Sequence, residues 1–350
     1  MKCLVKIYKK FIIFTFKIIY GEIKIFHKNN IKFKKKKITY KNESYKVYEI
    51  DDCRIYTNTN DVAYIKDNII IPGASLQMRK NLNQNVKFNH VINNGTPKYC
   101  KKINSRVFSL LCGVDANHNY FHWFFDSLPK YFFYKKFYKF TKNDYFIVPN
   151  LKHNYQIESL KILKIKNIIN AYDEKHIRTN KLITMNFKHT INHPLWLIND
   201  LKKAFKINRS NLIKKRTKLF ILREGTNNLA RGIENKEDLI HFLRSKNFLI
   251  INPSKLTFLN EIKLFNSAKI IIGLYGAALT NIIFCKNNAN VIELRNQYTG
   301  DLYKNITKKA KLNYYSLISK RIISNNVKRT WDGSINVSIR KISNILSKIN

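Results

Sequence analysis

The second half of the chain alternates regularly between apolar runs and amphipathic segments. The apolar runs have the length of buried strands, and they are Lys218–Leu222, Phe248–Ile251, Lys269–Ile272, Asn290–Leu294 and Asn313–Leu317. The segments between them carry apolar residues at helical spacing, and they are Asn235–Lys246, Thr257–Ala268, Ala277–Phe284 and Asp301–Leu312. Such alternation with short loops predicts a parallel sheet covered by helices on both faces. We therefore expect a Rossmann-like α/β half over residues 215–320, with Asn235 as the cap of its first helix.

The first half is less regular. Residues 28–110 contain runs typical of short strands, among them Lys37–Tyr40, Tyr45–Ile50 and Asn68–Ile71. The aromatic segment Asn119–Tyr134 predicts a helix that Pro129 kinks or ends. A chain of 350 residues suggests two domains, since one domain commonly has about 100–200 residues. We place them at residues 1–205 and 206–350, and expect a helix at Asn336–Ile349 to return across the domains.

The N-terminal segment has two interpretations. Its apolar stretch, Phe11–Tyr20, is interrupted by Lys17 and is too short to span a bilayer. No small-residue cleavage site follows it, so a signal peptide is not expected. Residues 1–20 therefore form either an interfacial anchor, with lysines on one side and apolar residues on the other, or the first strand or helix of the core.

Composition indicates a folded chain with a strongly basic surface. The sequence is 45% hydrophobic, which argues against disorder, and 65 basic against 22 acidic residues give a formal net charge of +43. The lysines are spread along the chain, which favours a coding bias towards Lys, Asn and Ile over a surface built for polyanions. The five cysteines include no CxxC pair, so we expect a reducing, cytoplasmic location and neither a disulfide framework nor a zinc site.

The segment Lys269–Asn281, KIIIGLYGAALTN, carries the strongest chemical signal. A buried strand ends at Gly273, and a turn with Gly276 leads into a helix that begins with Ala277 and Ala278. Unpaired N–H groups at a helix start bind phosphate, and small residues let a diphosphate approach the backbone. The candidate donor-binding residues of this loop are Gly273, Tyr275, Gly276, Ala277, Ala278, Thr280 and Asn281. The alternative is that the small residues only serve tight packing.

Three charged residues lie at the same predicted edge of the sheet. Glu293 is near the carboxyl end of a strand, where acidic residues can hold ribose hydroxyls. Arg223 and Arg231 lie in LREGTNNLARG, and guanidinium groups can neutralise the charge of a diphosphate leaving group. The alternatives are a surface salt bridge for the acid and solvated positions for the arginines. No Asp-x-Asp clamp is present, so we expect no metal and no cofactor.

A second constellation is His122 and Asp126 in NYFHWFFDSLP. They are four residues apart and share a helix face. When a carboxylate fixes the tautomer of a histidine, that histidine can act as a general base and deprotonate a substrate hydroxyl. From the residues alone, a structural hydrogen bond inside an aromatic helix is the favoured interpretation.

Together, NYFHWFFDSLPKY, LREGTNNLARGIENKEDL and FLNEIKLFNSAKIIIGLYGAALTNIIF with NVIEL resemble glycosyltransferase family 61, over about Asn117 to Tyr315. The resemblance implies a GT-B-like α/β fold, with two Rossmann-like halves facing a central cleft. It also implies a UDP-sugar donor in the C-terminal half, inverting transfer without an obligatory metal, and an acceptor site and base in the N-terminal half. Where the family has His-Gly-Ala-Gly, this chain has Tyr275, Gly276, Ala277 and Ala278.

The sequence therefore predicts a cytoplasmic glycosyltransferase that moves a sugar to a glycan or lipid-linked acceptor in surface polysaccharide biosynthesis. Peripheral membrane contact through residues 1–20 stays open, and no specific nucleic-acid partner is expected. One alternative is a catalytically degenerate relative that still binds the nucleotide. Another is a different nucleotide-binding enzyme on a doubly wound fold, although GxGxxG and GxxxxGK[ST] motifs are missing. A basic nucleic-acid-binding protein, suggested by charge only, is the third.

Overall fold

The computed structural model of the chain describes residues 2–26, 32–58, 61–77, 85–112, 119–187, 191–206, 216–223, 231–323 and 332–349. The chain divides into two compact units, Met1–His189 (unit 1) and Thr190–Asn350 (unit 2). The division falls before the predicted boundary at 205/206. The sequence prediction of a mixed α/β chain is confirmed, while the GT-B-like arrangement of two halves around a cleft stays a prediction.

Unit 1 is built mainly of strands. Its described strands are β1 Lys24–Ile25, β2 Lys34–Tyr40, β3 Glu43–Thr57, β4 Asp61–Lys66, β5 Ile69–Ile70, β6 Leu76–Gln77, β7 Lys101–Ser109, β8 Tyr145–Val148, β9 Ile168–Asn170 and β10 His176–Asn186. Its described α-helices are α1 Lys2–Tyr20, α2 His90–Asn94, α3 Tyr120–His122, α4 Leu128–Phe137 and α5 Asn154–Ile162. The short strands predicted for residues 28–110 are thus confirmed.

One mixed sheet organises unit 1, with the strand order β1-β5-β4-β3-β10-β7-β8-β9. The pairs β3–β4 and β3–β10 are antiparallel, whereas the pairs β10–β7, β7–β8 and β8–β9 are parallel. The parallel part follows the βαβ rule, because α3 and α4 connect β7 to β8, and α5 connects β8 to β9. Val107, Ile147 and Ile169 of these strands lie in one buried cluster, and the aromatic helix lies in the connection between β7 and β8.

Unit 2 has the predicted parallel α/β architecture. Its strands are β11 Thr217–Ile221, β12 Leu249–Ile251, β13 Ala268–Leu274, β14 Asn290–Asn296 and β15 Asn313–Ser319, with a small pair, β16 Arg321–Ile322 and β17 Ser334–Ile335. Its described α-helices are α6 Leu195–Ala204, α7 Lys236–Ser245, α8 Phe258–Ser267, α9 Leu302–Ala310 and α10 Ile339–Ile349. The main sheet has the order β12-β11-β13-β14-β15, and all its pairs are parallel.

One local feature of unit 2 differs from the sequence prediction. Asn235 precedes α7 but makes no capping bond. Its side chain instead donates to the Val337 carbonyl at 2.9 Å and accepts from the Val337 N–H at 2.9 Å. The residues that lead into α10 therefore hold this asparagine. In α10 itself, the buried Ile342 and Leu346 belong to the core of unit 2.

The N-terminal segment forms α1, which runs from residue 2 to Tyr20. In the described part of the chain, no helix has both the length and the apolar character that a membrane crossing requires.

Candidate active site

The sheet of unit 2 contains a topological switch point between β11 and β13. From β11 the chain goes to β12 on one side, and it then returns through α8 to β13 on the other side. The connections that leave β11 and β13 therefore run to opposite sides, and a crevice opens at the carboxyl ends of these strands. Ligands of open α/β sheets bind at such a crevice.

A pocket lies at this edge of the sheet. Its walls come from the segments that follow β11, β12 and β13, and they are Ile221, Leu222, Arg223, Asn252, Pro253, Ser254, Leu274, Gly276, Ala277 and Ala278. Several of the predicted donor-binding residues are thus brought together at one place. Asn252 and Ser254 were missed by the sequence analysis, although their position directly after a buried strand was a usable signal.

The turn after β13 is held from several sides. The Tyr275 N–H donates to the Leu294 carbonyl at 2.8 Å, and the hydroxyl of Tyr303 donates to the Gly276 carbonyl at 2.6 Å. Arg231 Nη1 donates to the Tyr275 carbonyl at 3.1 Å. Because its carbonyls are occupied in this way, the turn is fixed in place before any ligand arrives.

The predicted short helix after this turn is a 3₁₀-helix with the predicted bounds, Ala277–Phe284. Its first N–H groups have no carbonyl partner within the helix. These N–H groups follow Gly276 and belong to Ala277 and Ala278, which lie in the wall of the pocket. Backbone donors and small side chains therefore meet at the point where the sequence predicts a diphosphate.

Gly273 and Gly276, which were both predicted to bind the donor, have different roles. A Cβ atom at Gly273 would lie 3.0 Å from a methyl carbon of Leu279 and 3.1 Å from Ile221 Cδ1, so this glycine allows close packing. A Cβ atom at Gly276 would lie 2.8 Å from Nη1 of Arg223. Gly276 therefore leaves the space in which the guanidinium group rests against the turn.

Arg223 is a partly buried cation without an acidic partner in the described part of the chain. No described carboxylate forms an ion pair with it, and its Nε has no hydrogen-bond partner there. Burial, together with the charge of Arg231, lowers the pKa of Arg223 to about 10, so the group is still protonated at neutral pH. Residues 224–230, which connect the two arginines, lie outside the described residues. A partly buried cation that forms no ion pair with any described carboxylate is suited to bind an anion.

Arg231 lies on the other side of the turn. Its Nε is 3.4 Å from a carboxylate oxygen of Asp332, and its guanidinium carbon is 5.7 Å from the centre of the Tyr275 ring. The second arginine is thus partly neutralised, and it supports the turn as well as adding positive charge.

The remaining predicted donor residues are buried within unit 2. Asn281 donates a side-chain hydrogen bond to Glu261, and Thr280 is completely inaccessible to solvent. Neither residue lines the pocket. They lie further along the 3₁₀-helix, where they are suited to hold the helix rather than to touch a ligand.

Glu293 also lies away from the pocket walls. It pairs in register with Gly273, but its buried carboxylate accepts a hydrogen bond from the Tyr314 hydroxyl and is 3.9 Å from Arg295 Nη1. Burial raises the pKa of Glu293 to about 7 despite these partners. Glu293 is level with Gly273 near the end of β13, but β14 continues beyond it to Asn296, so it does not lie at the carboxyl end of its own strand, where it was predicted. Its contact with a ribose stays a prediction.

In unit 1, His122 and Asp126 are in direct contact. His122 Nδ1 is 2.5 Å from Asp126 Oδ2, and the carboxylate is buried while 24% of the histidine side chain is exposed. The carboxylate favours the tautomer with the proton on Nδ1, which puts the lone pair of the ring on Nε2. The pair thus has the geometry that a general base requires.

The backbone around this pair is unusual. Between α3 and α4 the chain makes a π-helical segment, Trp123–Ser127, in which the Leu128 N–H donates to the Trp123 carbonyl. Pro129 falls in the first turn of α4, so the helix changes its type before the proline instead of ending there. π-Helical segments are frequent at functional sites, and nothing in the local sequence pattern predicts one.

Lys130, one turn beyond Asp126, is a second buried charge that the sequence analysis missed. Its Nζ donates to the Leu111 carbonyl. Burial lowers the pKa of Lys130, and the nearby Cys112 and Asp126 partly oppose this shift. His122, Asp126 and Lys130 follow at intervals of four residues, which was the available signal.

The described residues contain no group of three or more His, Cys, Asp or Glu side chains placed to hold a metal ion.

Residues 120–292 match the family described as Glycosyltransferase 61. The matched segment runs from the start of α3 into β14, and it includes the His122–Asp126 pair, Arg223, Arg231 and the turn at Gly276. A search of curated proteins finds no match. The resemblance inferred from the sequence motifs is thereby confirmed. The chain belongs to glycosyltransferase family 61 and is a glycosyltransferase.

Proposed function

We propose that the protein is an inverting glycosyltransferase that uses a UDP-sugar and needs no metal ion. The observation that carries this proposal is Arg223, a partly buried cation that rests against the Gly276 turn and has no acidic partner among the described residues. When a glycosidic phosphate bond breaks, negative charge grows on the leaving diphosphate. Two guanidinium groups and the N–H groups of a helix start neutralise such charge without a metal.

The rest of the donor site follows from the pocket. Ala277 and Ala278 let the diphosphate approach the backbone, and Asn252 and Ser254 supply polar groups on the opposite wall. Tyr275 and Arg231 support the turn from behind. Contact of Thr280, Asn281 or Glu293 with the donor stays a prediction.

His122 is the proposed base. Its Nε2 takes the proton of the acceptor hydroxyl while that oxygen forms a bond to the anomeric carbon of the sugar. The bond from the anomeric carbon to the phosphate oxygen breaks, and its electron pair leaves with UDP. Asp126 stabilises the resulting imidazolium through the hydrogen bond to Nδ1. A single displacement of this kind inverts the anomeric configuration.

The proposed acceptor is a glycan or a lipid-linked glycan, and the proposed process is the cytoplasmic biosynthesis of a surface polysaccharide. The support is the family, whose bacterial members occur with polysaccharide genes. A lipid-linked acceptor would require the enzyme to work at a membrane surface.

The test is release of UDP from a panel of UDP-sugars in the presence of a chelator. We expect turnover of at least one donor, and an opposite anomeric configuration in the product by NMR. Gly276→Trp, whose side chain would displace Arg223, and Arg231→Ala should abolish or strongly reduce turnover, while Arg244→Ala at an exposed site of α7 serves as the matched control. Unchanged turnover in both variants would show that the donor site is assigned wrongly.

A second candidate is a catalytically degenerate relative that binds the nucleotide only. It is favoured by Tyr275, which stands where the family has a histidine. Binding of UDP without turnover of any UDP-sugar would support this alternative. A thermal shift with oligonucleotides but not with UDP would instead favour a nucleic-acid-binding protein.

A further inference from the structure

In the described part of the chain, the last turns of helix α1 make contacts with the rest of unit 1. The ring of Phe16 lies 5.2 Å from that of Tyr99, and the ring of Tyr20 lies 5.0 Å from that of His176. The Tyr20 hydroxyl also accepts a hydrogen bond from the Cys100 N–H at 3.0 Å. These contacts fix the direction of the helix. By contrast, every described side chain from residue 3 to residue 11 is exposed.

The exposed side of α1 is apolar. Leu4, Ile7, Phe11, Phe14 and Ile18 form a stripe, and their side chains are 71%, 59%, 65%, 62% and 70% exposed. Their spacing of three and four residues places them on one face of the helix. Tyr8 and Ile19 extend this apolar stripe on one side and are also more than half exposed. Soluble proteins rarely expose contiguous apolar surface of this kind without a partner.

The charges of α1 are all positive. Lys6, Lys10 and Lys17 flank the apolar stripe on the other side, and the helix contains no acidic residue. The nearby Glu22 forms an ion pair with Lys17 at 3.1 Å. Lysines beside an apolar face can reach the phosphates of lipid headgroups while the apolar residues enter the interface.

Charge also decides between the two occupants that this face could take. Pairing of two α1 helices would bring two rows of lysines together in a chain of net charge +43, which is unfavourable. An anionic bilayer would instead attract these lysines. We propose that α1 lies in the interface of an anionic membrane, with the apolar stripe inserted between the headgroups and unit 1 on the water side. The helix thus lies on the membrane and does not cross it.

This proposal does not rest on the donor site, and it is tested separately. The full chain is sedimented with vesicles of phosphatidylcholine alone and of phosphatidylcholine mixed with phosphatidylglycerol. The test variant is Phe11→Ser/Phe14→Ser/Ile18→Ser. The matched control is Ile191→Ser/Ile323→Ser, which removes apolar residues of unit 2 that are 59% and 65% exposed.

We expect the wild type and the control to bind anionic vesicles and to bind neutral vesicles weakly. The partition coefficient of the triple variant between water and anionic vesicles should fall at least about tenfold. The reason is that the three apolar side chains it lacks would be buried in the membrane interface and supply much of the affinity. In addition, the fluorescence emission of Phe11→Trp should shift to the blue with anionic vesicles. This substitution is at an exposed position, so the readout does not depend on disrupting the fold.

The proposal is overturned if the triple variant binds anionic vesicles as the wild type does, or if the Phe11→Trp emission does not move. It is also overturned if sedimentation equilibrium shows a dimer that the triple variant abolishes while vesicle binding is absent. That result would assign the stripe to a second copy of the chain.

Discussion

Arg223→Met should stabilise the free protein and weaken its binding of UDP. In the absence of a ligand, the guanidinium group is partly buried beside Arg231 and has no acidic partner in the described part of the chain. Methionine keeps much of the side-chain volume but removes the charge. The two expected effects have opposite signs, so a general loss of folding cannot produce both.

The size of the first effect follows from the pKa of Arg223, which burial and the Arg231 charge lower well below its usual value, to about 10. A change of this size corresponds to roughly 3 kcal/mol. The sign is destabilising, because the charged form is favoured more in the unfolded chain. The full cost is present below about pH 10, and it fades as the pH rises from there towards the usual pKa of arginine. Allowing for lost contacts, we expect the free energy of unfolding to rise by about 1–2 kcal/mol, or a melting temperature higher by about 2–8 °C.

The second effect is measured by titration calorimetry with UDP. Loss of a hydrogen-bonded ion pair to the diphosphate should raise Kd by about 10- to 100-fold. Arg244→Met, at an exposed position of α7, should change neither quantity. A lower melting temperature together with an unchanged affinity for UDP would show that Arg223 is a structural residue and does not bind the diphosphate.

Other predictions address the base, the buried acid and the turn. Asp126→Asn should reduce glycosyl transfer by about 100- to 10,000-fold without changing the Kd for UDP, because the proposed UDP contacts are in unit 2; a calorimetric Kd that changes in parallel with turnover would contradict this. Glu293, whose pKa burial raises from 4.5 to about 7, contributes stability that is complete below pH 4.5 and is lost as the pH rises through 7. In denaturant titrations across this pH range, the free energy of unfolding of the wild type should fall by an amount on the order of 3 kcal/mol, and that of Glu293→Gln should fall by less. An equal fall in both proteins would exclude Glu293 as the source of the pH dependence. Gly276→Ala, with a Cβ atom that would lie 2.8 Å from Arg223 Nη1, should raise the Kd for UDP with little change in melting temperature, whereas a large drop in melting temperature would indicate a packing role like that of Gly273.

The sheet of unit 2 was predictable because its strands contain short apolar runs, of which that of β13 is the clearest, although Glu293 and Ser316 interrupt β14 and β15. Ile270, Ile271 and Ile272 are all buried, as expected for a strand covered on both faces. The position of the Gly276 turn was predictable for the same reason, since it follows directly from the end of such a strand. Its neighbour Arg223 followed from the rule that the carboxyl ends of parallel strands share one edge.

Side-chain partners were less predictable, because they depend on residues far apart in the sequence. Glu293 lies in the middle of β14, and its carboxylate bonds to Tyr314 of the next strand. Asn281 lies in the expected segment, but it bonds to Glu261 of α8. Whether an acid or an amide at a strand edge turns towards a ligand or towards its neighbours is decided by tertiary packing.

The π-helical segment at Trp123–Ser127 was not predictable from the sequence. The spacing of His122 and Asp126 fits an ordinary α-helix equally well. The change of helix type depends on how the aromatic side chains pack, with Phe121 and Phe125 stacked at 4.7 Å and Trp123 bonded to Ser159 at 2.9 Å. Periodicity alone does not contain this information.

The most direct test of the central claim is a crystal structure of the protein with UDP. Diphosphate oxygens should lie within about 3 Å of the Arg223 guanidinium group and of the backbone N–H groups of Ala277 and Ala278. UDP bound at any other place on the protein, with Arg223 left unoccupied, would contradict this claim.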